Sequence, residues 1–173
     1  MRPLRYSVAM SLDGYIAGPN GEYDWIVMDP AIDFAAFFKT IDTVLMGRKT
    51  FETALQQGQS GRMPDMRTYV FSRTLSTGDH PDVTIVARDV ASTVAELKAQ
   101  HGRDIWLMGG GEMFRSLLNA KLVDTVEVGI IPILLGNGIP LLPATTSSVR
   151  LALTNSETFP TGVVLAKYAV EYG

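Results

Sequence analysis

The sequence predicts a three-layer α/β/α fold: a mixed, mostly parallel sheet that ends in a C-terminal antiparallel hairpin. Three observations predict it. Short apolar runs alternate with helical patterns along most of the 173 residues, as strands and crossover helices do. Two of those runs end in glycine directly before a helix, at Gly47 and at Gly109–Gly111. The closing stretch, RLALTNSETF-PTG-VVLAKYAVEY, reads as two long strands about a Pro-Thr-Gly turn, so it must add antiparallel strands at one edge.

The elements follow in order. LRYSVAM is a strand, and SLDGYIAGPNGEYDW is a long loop rich in Gly, Pro and Asn. AIDFAAFFKTI has helical spacing with Phe34, Phe37 and Phe38. TVLM is a short buried strand, and RKTFETALQ opens a helix. RTYVFS and VTIVA are strands, and STVAELKAQHG is a helix with Ser92 as its N-cap and Gly102 as its stop. DIWLM is a strand, GEMFRSLLNA a helix and TVEVGII a strand. No repeat, low-complexity tract or linker divides the chain, so one domain over residues 1–173 is expected.

Composition narrows the function. Hydrophobic residues make up 46% and charged residues 19%, the balance of a soluble globular domain. A net charge of -3 argues against a nucleic-acid partner and offers no basic face to a membrane. The opening residues read as neither a signal peptide nor a membrane span. With no cysteine, disulfides, thiolate metal sites and Cys nucleophiles are excluded, which fits a cytoplasmic protein. His80, in the turn-like TGDHPD, and His101, ahead of Gly102, read as surface residues. No metal site or His-based triad is expected.

The chemistry concentrates at the glycines. Three in a row, in LMGGGEMF, cost backbone entropy that a simple turn does not require. In open α/β sheets ligands bind beyond the carboxyl ends of the strands. Free N–H groups at a helix start make an anion site, and glycine lets a phosphate approach the main chain. TVLM-GRKTFE and DIWLM-GGGEMF both have this form, and two such sites on neighbouring strands could share one pyrophosphate. Neither is a standard motif. GGGEMF lacks the last Gly of G-x-G-x-x-G, and GRKT lacks the earlier glycine of a P-loop, with Asp42 in its place. VFSRT ends a strand with Ser72 and Arg73, a hydroxyl and a planar fork suited to another phosphate.

Taken together, SLDGYIAG, LMGRKTFE, VFSR, LMGGGEMF and PILLGNGIPLL resemble, in this order, the dihydrofolate reductase-like superfamily. Within it they resemble the C-terminal reductase domain of the riboflavin biosynthesis protein RibD. The resemblance spans nearly the whole chain and implies an NADPH-dependent reductase of a pyrimidine- or pteridine-like small molecule. It assigns Gly47, Arg48, Lys49 and Thr50 to phosphate at one helix start. Gly109, Gly110, Gly111, Glu112 and Met113 fall on the other side, and Ala9 and Ile16 flank the nicotinamide. Ser72 and Arg73 take the 2′-phosphate that selects NADPH over NADH. Trp25 and its loop are expected to close on the substrate as a lid. Dihydrofolate reductases carry an acid on the following helix. Asp33, four residues before Phe37 and on the same face, is the better match, with Asp29 as the alternative. A homodimer is common in the riboflavin branch, and a long C-terminal edge strand suits one.

The substrate half departs from both branches. Ser7 stands where the riboflavin branch has a lysine, and Met108 where it has a glutamate before the glycines. WIVMDPAIDFAAFFKTID replaces its basic segment for a ribose phosphate, and Gly129 stands where dihydrofolate reductases carry a threonine. Uracil reduction in riboflavin synthesis is the first assignment and dihydrofolate reduction the second. A non-catalytic NADPH sensor is the rival from another class.

Overall fold

A computed structural model describes residues 1–144 and 147–173. Among the described residues, ten strands and four α-helices follow the predicted alternation: β1 (Leu4–Ser11), β2 (Tyr15–Ala17), α1 (Phe34–Lys39), β3 (Ile41–Gly47), α2 (Arg48–Gln56), β4 (Arg67–Phe71), β5 (Thr84–Val86), α3 (Val90–Ala99), β6 (Asp104–Gly109), α4 (Gly111–Asn119), β7 (Thr125–Ile131), β8 (Ile139–Pro140), β9 (Arg150–Thr158) and β10 (Val164–Glu171). Eight strands form one sheet in the order β5-β4-β3-β6-β1-β7-β10-β9. From β5 to β7 every pairing is parallel, and β10 then runs antiparallel to both β7 and β9. The predicted mixed sheet with an antiparallel hairpin at one edge is what the chain adopts.

Alternation in the central strands divides two layers of helix. Leu4 and Tyr6 of β1 and Ile105 and Leu107 of β6 point to one face, where they pack on Val94 and Leu97 of α3 and Phe114 and Leu117 of α4. Tyr6 and Phe114 stack with ring centres 3.9 Å apart. Val44 and Met46 of β3 turn the other way, onto Phe51 of α2. Arg5, Ser7 and Ala9 share that second face with Trp106, because Arg5 is registered opposite Trp106. The second face carries α2 over β3 and β4 but leaves β1, β7 and β10 open to a cleft.

Local details differ from the sequence reading at three places. α3 starts one turn earlier than expected: Asp89, not Ser92, is the N-cap, and its carboxylate accepts the Ser92 amide at 2.8 Å. Asp outranks a later Ser when both can cap, because it also suits the helix dipole. The helix then ends at Ala99, before Gly102. His80 is half-buried, edge-on to Phe51 with ring centres 5.0 Å apart. β2 and β8 form a small second sheet that the Gly-rich loops concealed. Among the described residues, no helix is long and apolar enough to cross a membrane.

Candidate functional site

β3 and β6 are neighbours, and the register sets Met46 beside Gly109. The starts of α2 and α4 therefore lie side by side at the carboxyl end of the sheet. They open on a cleft of about 1780 Å³ lined by both glycine junctions, β1, β7 and β10. That is large beside ordinary small-molecule pockets, and suits a dinucleotide with a second ring.

Each glycine has its own reason. Gly110 is the N-cap of α4 with φ 105°, a backbone that disfavours any side chain. A Cβ on Gly111 would lie 2.8 Å from the Pro140 carbonyl oxygen and 2.9 Å from Pro143, so that glycine serves packing under β8. Gly47 is different. Its φ of -79° and ψ of 165° suit any residue, and an added Cβ meets nothing within 4 Å. Among the described residues, nothing crowds a side chain there. Both helix starts lack a side-chain cap, so their first-turn amides remain available.

The flanking side chains are partly committed. Arg48 pairs with Glu52 at 2.9 Å, and Glu112 pairs with Arg115. Lys49 is exposed, Thr50 half-buried, and Met113 packs into the core while touching the cleft. Ala9 and Ile16 line the cleft. Phe71 ends β4 at its rim. Beyond it the buried Ser72 hydroxyl is taken by a local turn, accepting the Thr74 and Leu75 amides at 3.2 and 3.1 Å. Arg73 is exposed and makes no ion pair among the described residues.

The predicted substrate residues divide. Phe37 lines the cleft edge-on to Trp106, with ring centres 5.4 Å apart. Trp25 does not line it. Its indole donates to the Glu22 carbonyl at 3.0 Å and packs with Phe159 and Val163, which pins the loop from behind. Asp33 is exposed and caps α1 through the Ala36 amide at 2.8 Å. Asp29 is buried and accepts from the Ala31 amide and from both the amide and hydroxyl of Thr161. Neither carboxylate is among the cleft-lining residues.

Glu52, Glu112, Glu127 and Glu157 do line the cleft, and Glu127 on β7 is the least exposed of the four. Arg5 grips it through Nε and Nη2, each at 2.8 Å, and lies 4.9 Å from the centre of the Phe37 ring. Lys167 of β10 approaches the same carboxylate at 3.2 Å. Burial pushes the Glu127 carboxyl up, but the Arg5 bonds and the Arg5 and Lys167 charges outweigh it and hold it below the ordinary range. Local pattern could have flagged these residues, since Arg5, Glu127 and Lys167 are charges inside apolar strands. Their meeting depends on strand register, which one sequence does not display.

Asp13 fixes the cleft's outer rim. Its carboxylate accepts the Leu135 and Gly136 amides at 3.1 and 2.7 Å and the Ser11 hydroxyl at 2.7 Å. SLDGYIAG and PILLGNG, distant in sequence, are latched there.

Residues 2–165 match the family model of the RibD C-terminal domain. The chain belongs to the RibD C-terminal domain family. The RibD-type domain seen here is 36% identical to the uncharacterized protein YyaP of Bacillus subtilis, over 96% of this chain and 94% of that one. A Shewanella sp. PV-4 protein assigned to riboflavin biosynthesis superposes with TM-score 0.83 at 27% identity, covering 98% and 99% of the two chains. A Thermotoga maritima diaminohydroxyphosphoribosylaminopyrimidine deaminase/5-amino-6-(5-phosphoribosylamino)uracil reductase gives TM-score 0.70 at 18% identity. It aligns with 98% of this chain, which spans only 57% of its length. Enterococcus faecalis dihydrofolate reductase, solved with NADP(H), shares the fold at TM-score 0.69 and 21% identity, over 98% and 97% of the chains. The RibD-type domain is thus dihydrofolate reductase-like in fold.

Proposed function

We propose that the chain is an NADPH-dependent reductase of a pyrimidine- or pteridine-like small molecule. The observation that carries this reading is Gly47, a glycine whose backbone and surroundings would accept a side chain, kept bare toward the cleft. The residues present fit the cofactor. The pyrophosphate belongs between the amides that open α2 and α4, with Arg48, Lys49 and Thr50 on one side and Gly109 and Gly110 on the other. The nicotinamide belongs against Ala9 and Ile16. When bound, NADPH supplies the hydride that the protein itself cannot. The chain's own part is to orient both rings and to exclude water, with Phe37, Trp106 and Ile16 as apolar walls.

The first substrate to test is 5-amino-6-(5-phosphoribosylamino)uracil, named for the Thermotoga relative, and dihydrofolate is second. Ser7 and Met108 supply neither the charge nor the proton of a Lys and Glu pair. Weak turnover of the phosphorylated uracil is therefore expected, and better turnover of a smaller or unphosphorylated ring. NADPH oxidation by the purified protein across these compounds tests the reading. Binding without turnover of any of them would favour the sensor, a reading supported by Asp29 and Asp33 being engaged outside the cleft.

Arg73 carries the cofactor preference in this reading. NADPH is expected to bind at least about tenfold more tightly than NADH, and Arg73→Ala to remove most of that difference. Equal affinities in the parent protein would reject the assignment of Ser72 and Arg73. A homodimer through β9 is the proposed assembly: the strand ends the sheet and exposes Leu151 and Leu153. Sedimentation as a monomer at micromolar concentration would reject it.

A further inference from the structure

The substrate half of the cleft is floored by a row of side chains that crosses four strands. Ser7 of β1 is registered opposite Glu127 of β7, Glu127 opposite Lys167 of β10, and Lys167 opposite Asn155 of β9. Cross-strand partners project from the same face of a sheet. Two residues further along β1 the row becomes Ala9, Gly129 and Leu165. Its first two members hardly rise above the backbone, and the Leu165 side chain, 3.2 Å from where a Cβ on Gly129 would stand, bounds them on the β10 side. The result is a low shelf beside a polar row, the shape that receives a flat ring with one polar edge.

Hydrogen-bonding capacity in the polar row is unequally spent. The Glu127 oxygens take two Arg5 N–H groups at 2.8 Å and the Ser7 hydroxyl at 3.1 Å. The Thr125 hydroxyl at 3.4 Å and the Lys167 ammonium at 3.2 Å complete the set. A carboxylate offers about four lone-pair sites, so Glu127 has nothing left for a ligand. Arg5 is equally committed, to Glu127, Thr40 and Asp104. Lys167 and Asn155 are the exceptions, and of the two only Lys167 carries a charge. Its side chain is 41% exposed, it lines the cleft, and Glu127 is its one partner among the described residues. An ammonium has three donors, so two remain.

We infer that Lys167 is the substrate's polar anchor, binding a carbonyl or enolate oxygen on the edge of a planar heterocycle seated at Gly129, next to the nicotinamide's place against Ala9, with Glu127 positioning its ammonium. The inference rests on the reductase reading of the cleft and adds a specificity to it. The cleft selects rings by an electron-rich oxygen and stabilises negative charge that develops there. The exposed Glu157 also lines the cleft and has no ion-pair partner among the described residues; as the anchor it would select the opposite chemistry, a protonated 2,4-diaminopyrimidine held by paired N–H bonds.

The test is calorimetric titration with two probes, 5,6-diaminouracil and 2,4-diaminopyrimidine, on the protein with and without saturating NADP⁺. The uracil is expected to bind at least about tenfold more tightly than the diaminopyrimidine. Lys167→Met is expected to weaken uracil binding about tenfold, and Lys167→Arg to retain most of it, while both leave NADPH affinity within about twofold of the parent. A positioning role for Glu127 predicts coupling: in a Glu127→Gln background, Lys167→Met costs clearly less than in the parent. Undiminished uracil binding by a folded Lys167→Met, a preference for the diaminopyrimidine, or no uracil binding by the parent at millimolar concentration each overturns the anchor. Lys167-dependent uracil binding in a protein that ignores NADPH supports the anchor and sinks the reductase reading instead.

Discussion

Gly47→Val is expected to weaken NADPH binding about 100-fold or more, while the melting temperature moves by no more than about 2–4 °C. Few glycines allow so clean a separation. At Gly110, with φ 105°, a branched side chain would strain the backbone whether or not a ligand lies above it. At Gly111 it would collide with Pro140 and Pro143. Gly47 has an extended backbone that valine accepts readily, and free space around its missing Cβ. The added methyls would stand over the amides that open α2, where the pyrophosphate is proposed to sit. Calorimetry with NADPH, beside a thermal melt, measures both quantities. A folded Gly47→Val protein with parental affinity would falsify the assignment of this junction.

Glu127→Ala is expected to cost about 3 kcal/mol of stability or more. The Arg5 side chain is only 10% exposed, and removing its carboxylate partner leaves a buried guanidinium with half its bonds unmade. Urea denaturation checks the figure. Replacing both partners, as Arg5→Met with Glu127→Leu, is expected to recover most of the loss, since the buried guanidinium is gone and only the more exposed Asp104 and Lys167 lose a partner. The pH dependence has a definite sign. The folded-state pKa of Glu127 is depressed, despite burial, by Arg5 and Lys167. The pair's contribution is therefore complete at neutral pH and is lost as the pH falls below about 4 toward the folded value. Parental stability in Glu127→Ala, or a stability that rises on acidification through that range, contradicts this account.

What the sequence reveals and what it hides divide along a physical line. The two strand-glycine-helix junctions and the closing hairpin are local patterns, and local backbone geometry built them as expected. The Phe34, Phe37 and Phe38 spacing likewise gave α1, with Phe37 facing the cleft. Asp33 shows where a local signal misleads. An acid four residues before an aromatic is what a substrate-binding helix would carry, but an acid at a helix start is also what a cap requires. The cap won because α1 is only six residues long and begins directly after Asp33. Trp25 packs behind its loop for a similar reason, since Phe159 and Val163 come from the far hairpin. The meeting of Arg5, Glu127 and Lys167 is legible only after the strands are ordered. β6 enters between β3 and β1, and the hairpin lies beside β7, so residues more than 100 positions apart become neighbours. Register carries that information, and no short window of sequence contains it.

The latch at Asp13 bears on how the cleft's rim opens. With the Leu135 and Gly136 amides both bonded to one carboxylate, which the Ser11 hydroxyl holds in place, the loops that follow β1 and β7 cannot swing apart without giving up both amide bonds together. Amide hydrogen exchange should therefore treat them as one unit. Leu135 and Gly136 are expected to exchange far more slowly than other residues of that loop. Asp13→Ala is expected to release the amides of both loops at once, although the two stretches lie more than 100 residues apart in the chain.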